Sequence, residues 1–216
     1  NEPAVIAVSE DGQAAVPLLG GHHGANMLAQ DIAFALGGMA AVTTAGDVAM
    51  GVALDEPPAG YRLANPDHAK GAMAALLDGQ GVSIRGENIF GLEDQGGAVE
   101  LLVSEAPAEG SAARLVYHPQ RFALGLGCAR NADPEEMWAL VRDTLDEAGI
   151  APGAIACVAS IDLKADEPAM NEVACRLGVP LRLFTAEELE AQADRLANPS
   201  EVVFAEVGCH GVSEGA

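Results

Sequence analysis

The sequence predicts an α/β protein made of two small α/β domains, the C-terminal one a mostly parallel sheet flanked by helices. Three observations carry that prediction. From residue 121 onward, apolar runs alternate with amphipathic stretches in the order strand, helix, strand, helix, strand, helix, as in a parallel sheet covered by helices. The helical stretches there carry start or stop residues. The first forty residues hold two apolar runs on either side of Glu10-Asp11-Gly12, then a helical repeat, then another apolar run.

Taken in order, residues 4–9 and 13–19 read as a hairpin, with Pro17 calling for an edge or a bulge near the end of the second strand. Residues 26–36 read as a helix, with Asn26 as its cap and Gly37-Gly38 as its stop. Residues 40–44 read as a strand. Pro57-Pro58 rules out helix between Gly51 and Gly60. Residues 66–77 read as a helix, with Asn65 as cap and Pro66 in its first turn. Residues 79–113 carry little periodic signal and read as hairpin strands or a variable connector, with 105–113 as a linker. Then come a strand at 121–126 and a helix at 134–148, capped by Asp133 and ended by Gly149. A buried strand follows at 154–161, a helix at 168–177 ended by Gly178, and a strand at 181–184. A helix at 185–195 opens on Thr185 and Glu188, a capping box. The division between domains falls near residue 115, giving regions 1–114 and 115–216.

Half of the 216 residues are hydrophobic and only 4% are aromatic, so the core is built of small aliphatic side chains. The net charge of -21 leaves no basic footprint for nucleic acid or for an anionic membrane surface. No apolar run reaches the ~18 residues of a membrane helix, and no charged segment precedes an apolar one as in a secretory leader. The expectation is a cytoplasmic protein. Cys128, Cys157, Cys175 and Cys209 are far apart with no CxxC, which argues against a zinc ribbon and for buried free thiols.

Ligands of open α/β sheets sit beyond the carboxyl ends of the strands, so the loops there hold the candidate site. The first loop is Gly20, Gly21, His22, His23, Gly24 and Asn26. Its glycines permit close approach, the helix behind it offers free N–H groups, and the histidines can grip a carboxylate or act as acid and base near neutral pH. Two adjacent histidines do not make a metal site, which wants roughly three or four convergent ligands. The second loop offers Thr43, Thr44 and Asp47 for polar contacts, or as turn formers. The third, Gly125-Leu126-Gly127-Cys128-Ala129-Arg130, begins like a dinucleotide fingerprint but has Arg130 where the third glycine belongs. It can still hold a carboxylate or phosphate, and Cys128 reads as a small buried residue there. The fourth carries Asp162 and Lys164, one of only two lysines, as an anion contact. His210, in the segment Gly208–Glu214, is a fifth candidate.

Read together, the motifs "VPLLGGHHGANMLAQDIAFALGG…AVTTAGD", "LGLGCARNADPEEM", "ASIDLKADEPAMNEVACRLGVPL", "LFTAEEL" and "NPSEVVFAEVGCHGVSEGA", in that order, resemble the CbiG family of cobalamin biosynthesis. The resemblance spans nearly the whole chain apart from residues 79–113, and the C-terminal half is also similar to CobE. It implies a cobalt-precorrin-5A hydrolase, which opens a δ-lactone on ring A of a corrin precursor and releases acetaldehyde. The implied partner is a cobalt-corrin or precorrin intermediate. No separate cofactor is implied, because any cobalt comes with the substrate. Some relatives are fused to a precorrin-3B C17-methyltransferase, so this chain is expected to be part of such a polypeptide or to work beside other enzymes of the pathway. Family members also carry a further α/β segment before the hairpin. Their first loop commonly reads SGHxGGAN; here it is GGHHGAN, one residue shorter with an extra histidine.

A carboxylate-rimmed macrocycle calls for an open cleft, such as two α/β domains make, and for cations at its rim such as Arg130 and Lys164. Lactone hydrolysis calls for an activated water and oxyanion donors. The expectation is that His22 or His23 is the general base and that backbone N–H groups of residues 21–26 stabilise the oxyanion. The rival readings are a non-catalytic carrier of corrin precursors, a nucleotide- or phosphate-binding regulator, and a scaffold domain active only within a fusion.

Overall fold

The computed structural model describes residues 3–21, 24–42 and 51–216. Among them are ten strands and six α-helices in a mixed α/β arrangement, as the sequence predicts. The chain divides into two compact units, Asn1–Ala59 with Leu63–Val103 and Glu109–Tyr117, and Gly60–Arg62 with Ser104–Ala108 and His118–Ala216.

The first unit opens on the expected hairpin of β1 (Val5–Val8) and β2 (Ala14–Leu19). Asp11 ties its turn, accepting from the Ser9 hydroxyl at 2.6 Å and the Gln13 N–H at 3.1 Å. The register slips between Val5 and Ile6, which pair with Leu19 and Pro17, so Leu18 is the extra residue of a bulge. Helix α1 (Ala25–Leu36) follows and leads to β3 (Met39–Ala40), which pairs in parallel with Ala14 and Ala15. Pro17 lies beyond that pairing, where no ladder hydrogen bond is required of it. Gly37 ends α1 at φ 68°, and Gly38 passes so close to β2 that a Cβ would sit 2.5 Å from the Gly12 carbonyl oxygen. The expected cap is two residues out: Gly24 caps α1, while Asn26 lies inside the helix and is buried. The expected strand at 40–44 is the shorter β3, and residues 43 and 44 lie outside the described residues.

The rest of this unit is a four-stranded sheet in the order β4-β7-β6-β5. Its strands are β4 (Tyr61–Leu63), β5 (Val82–Arg85), β6 (Val99–Val103) and β7 (Arg114–Pro119), with α2 (Ala69–Leu77) between β4 and β5. The β5–β6 and β6–β7 pairs are parallel, so of the two readings of residues 79–113, hairpin strands or a variable connector, the hairpin is excluded. Their crossovers contain no helix, and a crossover without helical periodicity leaves no mark in the sequence. Strand β7 went unread although Leu115, Val116 and Tyr117 are fully buried; Tyr117 donates its hydroxyl to the Leu54 carbonyl at 2.7 Å. Asn65 precedes a 3₁₀ turn (Pro66–His68) but makes no side-chain cap. Its amide instead bonds the Arg114 carbonyl and the Val116 N–H, pinning the loop to β7.

The second unit is the parallel sheet β10-β9-β8. It comprises β8 (Phe122–Gly125), α3 (Pro134–Ala148), β9 (Ile155–Ile161), α4 (Pro168–Leu177), β10 (Leu181–Phe184), α5 (Ala186–Glu190) and α6 (Glu201–Val207). Asp133 caps α3 by accepting from the Glu135 N–H, and glycines 149 and 178 end α3 and α4 in the left-handed conformation. Met137, Val141 and Leu145 of α3 meet Met170, Val173 and Leu177 of α4 over Ile155 and Val158 of β9. The Thr185 capping box is present, but α5 stops at Glu190 and a 3₁₀ turn at Ala193–Arg195 replaces its expected end. Helix α6, capped by Ser200, was not anticipated. Cys157 and Cys209 are buried free thiols and Cys128 is half-buried, while Cys175 is exposed, against expectation. Among the described residues no helix is long and apolar enough to cross a membrane.

Candidate functional site

Of the first loop, His22 and His23 lie outside the described residues, as do Thr43, Thr44 and Asp47 of the second. Around the histidines the backbone is tightly specified. Gly20 is buried at φ 73°, and a Cβ there would be 2.9 Å from the Pro3 carbonyl oxygen. Gly21 faces the Asn26 side chain, and Gly24 takes φ 84° at the head of α1. Two of the expected oxyanion donors are already engaged. The Gly24 N–H bonds Glu56 Oε1 at 3.2 Å, and the Ala25 N–H bonds the Gly20 carbonyl. A carboxylate on the first N–H of this helix is where its partial positive charge favours an anion.

In the second unit the loops after β8 and β9 come together, because these strands are parallel neighbours. Leu126 continues the ladder through its N–H to the Ala159 carbonyl, and the buried Ser160 hydroxyl donates to the Leu126 carbonyl at 2.8 Å. Gly125 does not serve a ligand's approach: a Cβ there would fall 1.8 Å from the Ser213 carbonyl oxygen of the chain's own last segment. Gly127 is open, with nothing within 4 Å of a Cβ. Arg130 donates to Asp166 Oδ1 at 2.6 Å and to the Leu163 carbonyl at 2.5 Å, and so clasps the loop after β9. Asp162 is exposed at the start of the 3₁₀ turn Asp162–Lys164.

At the floor of this cluster is Glu167, which no motif in the sequence singles out. It is 1% exposed, and its Oε2 lies 3.8 Å from both Lys164 Nζ and Arg130 Nη1. Its Oε1 accepts no hydrogen bond among the described residues. The signal available in sequence was its place directly before Pro168, at the head of a buried helix. Cys128 stands within electrostatic range of all three. Burial pushes its thiol up, the Lys164 ammonium pulls it down, Glu167 pushes it up and Arg130 pulls it down. A thiol held up by burial is a wall of the site rather than its nucleophile. Among the described residues no three or more His, Cys, Asp or Glu side chains converge as a metal site.

His210 belongs to a different cluster. It stacks on Phe204 with ring centroids 4.4 Å apart and bonds Glu190 Oε1 at 2.8 Å. The Glu190 hydrogen bond raises the His210 pKa above its usual 6.5, and the same bond lowers that of Glu190. A raised imidazole stabilises the fold fully below its unfolded value, and that contribution is lost as pH rises through the folded value. Segment 208–216 is therefore expected to exchange its amides faster on going from below pH 6.5 to well above it, relative to β9. A histidine-independent profile, matched by His210→Gln, would refute the coupling.

The chain matches two models of one family in order: the Cobalamin synthesis G N-terminal model over residues 1–47 and the Cobalamin synthesis G C-terminus model over residues 122–216. It is 54% identical over 95 residues to Protein CobE of Sinorhizobium sp, covering 44% of this chain and 62% of that protein. It is 26% identical over 247 aligned positions to the Cobalt-precorrin-5A hydrolase of Priestia megaterium, covering 100% of this chain and 65% of the relative. The Cobalt-precorrin-5A hydrolase of Salmonella typhimurium is 28% identical over 212 positions, 88% of this chain and 60% of the relative. The chain thus spans less than two thirds of the length of these relatives. The resemblance read from the ordered motifs holds at both ends, and the chain belongs to the cobalamin synthesis G (CbiG) family.

Proposed function

We propose that this chain acts in corrin-ring biosynthesis as a hydrolase of the cobalt-precorrin-5A type, opening the ring A δ-lactone with release of acetaldehyde. The observation that carries the reading is the alignment of the entire chain with the Priestia megaterium enzyme, with family models matching both ends in order. The site chemistry is compatible with it. A macrocycle edged with carboxylates needs anion contacts, and the Arg130 guanidinium, 54% exposed in the loop after β8, can offer one. His22 or His23 serves as an acid–base group in the loop before α1. Thr43, Thr44 and Asp47 contribute polar contacts. A methyltransferase of the same pathway is the partner expected to share the intermediate.

The test is anaerobic incubation of the purified chain with cobalt-precorrin-5A, with acetaldehyde quantified. Catalytic release is the expected result. Replacing both His22 and His23 by Ala should slow it about 100-fold, the scale of a lost acid–base group; turnover at the parent rate would remove them from the mechanism. The similarity to CobE over 95 residues favours one alternative, a non-catalytic corrin-precursor binding module. A shifted pigment spectrum without acetaldehyde would be its signature.

A further inference from the structure

We infer that Glu167 and Lys164 hold a water molecule beyond the carboxyl ends of β8 and β9, and that this water is the nucleophile of the lactone-opening step. The inference rests on the hydrolase reading above. It starts from a mismatch in hydrogen bonding. Glu167 is 1% exposed, and its Oε1 is an acceptor with no donor among the described residues. The Lys164 side chain is 14% exposed, and at 3.8 Å its ammonium is too far from Glu167 Oε2 for a hydrogen bond. The other cation nearby cannot correct this, because Arg130 is 3.8 Å from Glu167 and directs its short bonds to Asp166 and the Leu163 carbonyl. A buried ion pair offsets its desolvation only when further hydrogen bonds satisfy both partners, and native proteins leave few such groups unmet.

The complement of this pair is a group that donates to Glu167 and accepts from Lys164. A carboxylate would satisfy the ammonium but set its lone pairs against Oε1; a cation would do the reverse. An O–H group satisfies both, and water is the smallest such group. This changes the role of Lys164 from gripping a substrate carboxylate to holding the nucleophile, gives the water's proton to Glu167 rather than to His22 or His23, and leaves the histidines the later proton transfer that frees acetaldehyde. The surroundings agree: Gly127 leaves open space above the loop, and the half-buried Cys128 supplies a wall without a competing charge.

The chemistry balances without any other reagent. Glu167 takes one proton from the water as its oxygen bonds to the lactone acyl carbon and the carbonyl electron pair moves onto oxygen. The ammonium of Lys164 offsets the charge that develops. Collapse of the oxyanion restores the carbonyl and breaks the acyl C–O bond, and the departing alkoxide takes the proton from Glu167. One water is added and nothing is oxidised or reduced.

A high-resolution crystal structure of the full chain should show an ordered water about 3 Å from both Glu167 Oε1 and Lys164 Nζ; a dry pair overturns the inference. With cobalt-precorrin-5A, Glu167→Gln should lower kcat about 100-fold with KM little changed. Glu167→Ala should regain part of the loss with added formate, a rescue that a merely packing role would not give. Parent-like kcat in Glu167→Gln overturns the assignment. Should the parent chain itself release no acetaldehyde, the hydrolase reading fails and the role as nucleophile falls with it; an ordered water at the pair would then leave only the binding half of the inference standing.

Discussion

Replacing Gly125 with alanine is expected to destabilise the second unit by about 3 kcal/mol and to detach segment 208–216 from the end of β8. The methyl group would lie 1.8 Å from the Ser213 carbonyl oxygen and 2.8 Å from its carbon. Neither can swing away as the tip of a side chain could, because both are backbone. On the other side, β8 is fixed by its register with β9, where Gly125 pairs with Ala159. One of the two must move. Segment 208–216 is the looser, anchored by Glu214 on the amides of Ala197 and Asn198 and by Cys209 in a small cluster with Ile161 and Leu189. Trp138, the only tryptophan and a neighbour of the main core of this unit, reports the unfolding in urea. An unchanged midpoint, with the Ala216 amide still protected by its bond to the Val212 carbonyl, would show that the approach is not so close.

The second large effect is expected in the first unit. Asn65→Ala should cost about 2–3 kcal/mol, the scale of a buried donor left unsatisfied together with a lost partner bond. Asn65 Oδ1 accepts from the Val116 N–H at 3.0 Å, and its Nδ2 reaches the Arg114 carbonyl at 2.9 Å and His68 Nδ1 at 3.1 Å. Val116 is fully buried, so water cannot take over its N–H. The fit is close: a Cβ at Gly110 would come within 2.3 Å of Asn65 Cγ. Hydrogen exchange at the Val116 amide is the direct readout, since Trp138 belongs to the other unit. A change below about 0.5 kcal/mol, the ordinary scale of a surface substitution, would refute this account.

These residues show where the sequence was legible. Caps and stops that act on their own helix, such as Asp133, Gly149, Gly178 and the Thr185–Glu188 box, were read correctly because their partners lie within a few residues. Asn65 has the composition of a cap, but its partners lie about fifty positions away, and no local pattern announces them. The parallel sheet of the second unit was legible from alternating strands and helices. The parallel order β5-β6-β7 was not, because its crossovers are irregular. The same distinction runs through the site. Glycine-rich loops at strand ends pointed to this neighbourhood, and Arg130 and Lys164 both come within 3.8 Å of Glu167 there. That Gly125 makes room for Ser213, and that Glu167 lies beneath Lys164 rather than in solvent, follows from packing between distant segments.

The way the chain is threaded has a consequence for gene architecture. It passes into the second unit at Gly60–Arg62, returns, enters again at Ser104–Ala108, and commits only from His118. The short early passages carry attachments. Arg62 donates to the Leu177 and Gly178 carbonyls at the end of α4, and the Glu105 carbonyl accepts from the Ala151 N–H. A reading frame begun at residue 118 would encode the sheet β10-β9-β8 and its helices without these clasps. Any lineage that split this gene to make the second unit a separate polypeptide had to supply substitutes for two small excursions that a linear map assigns to the other half.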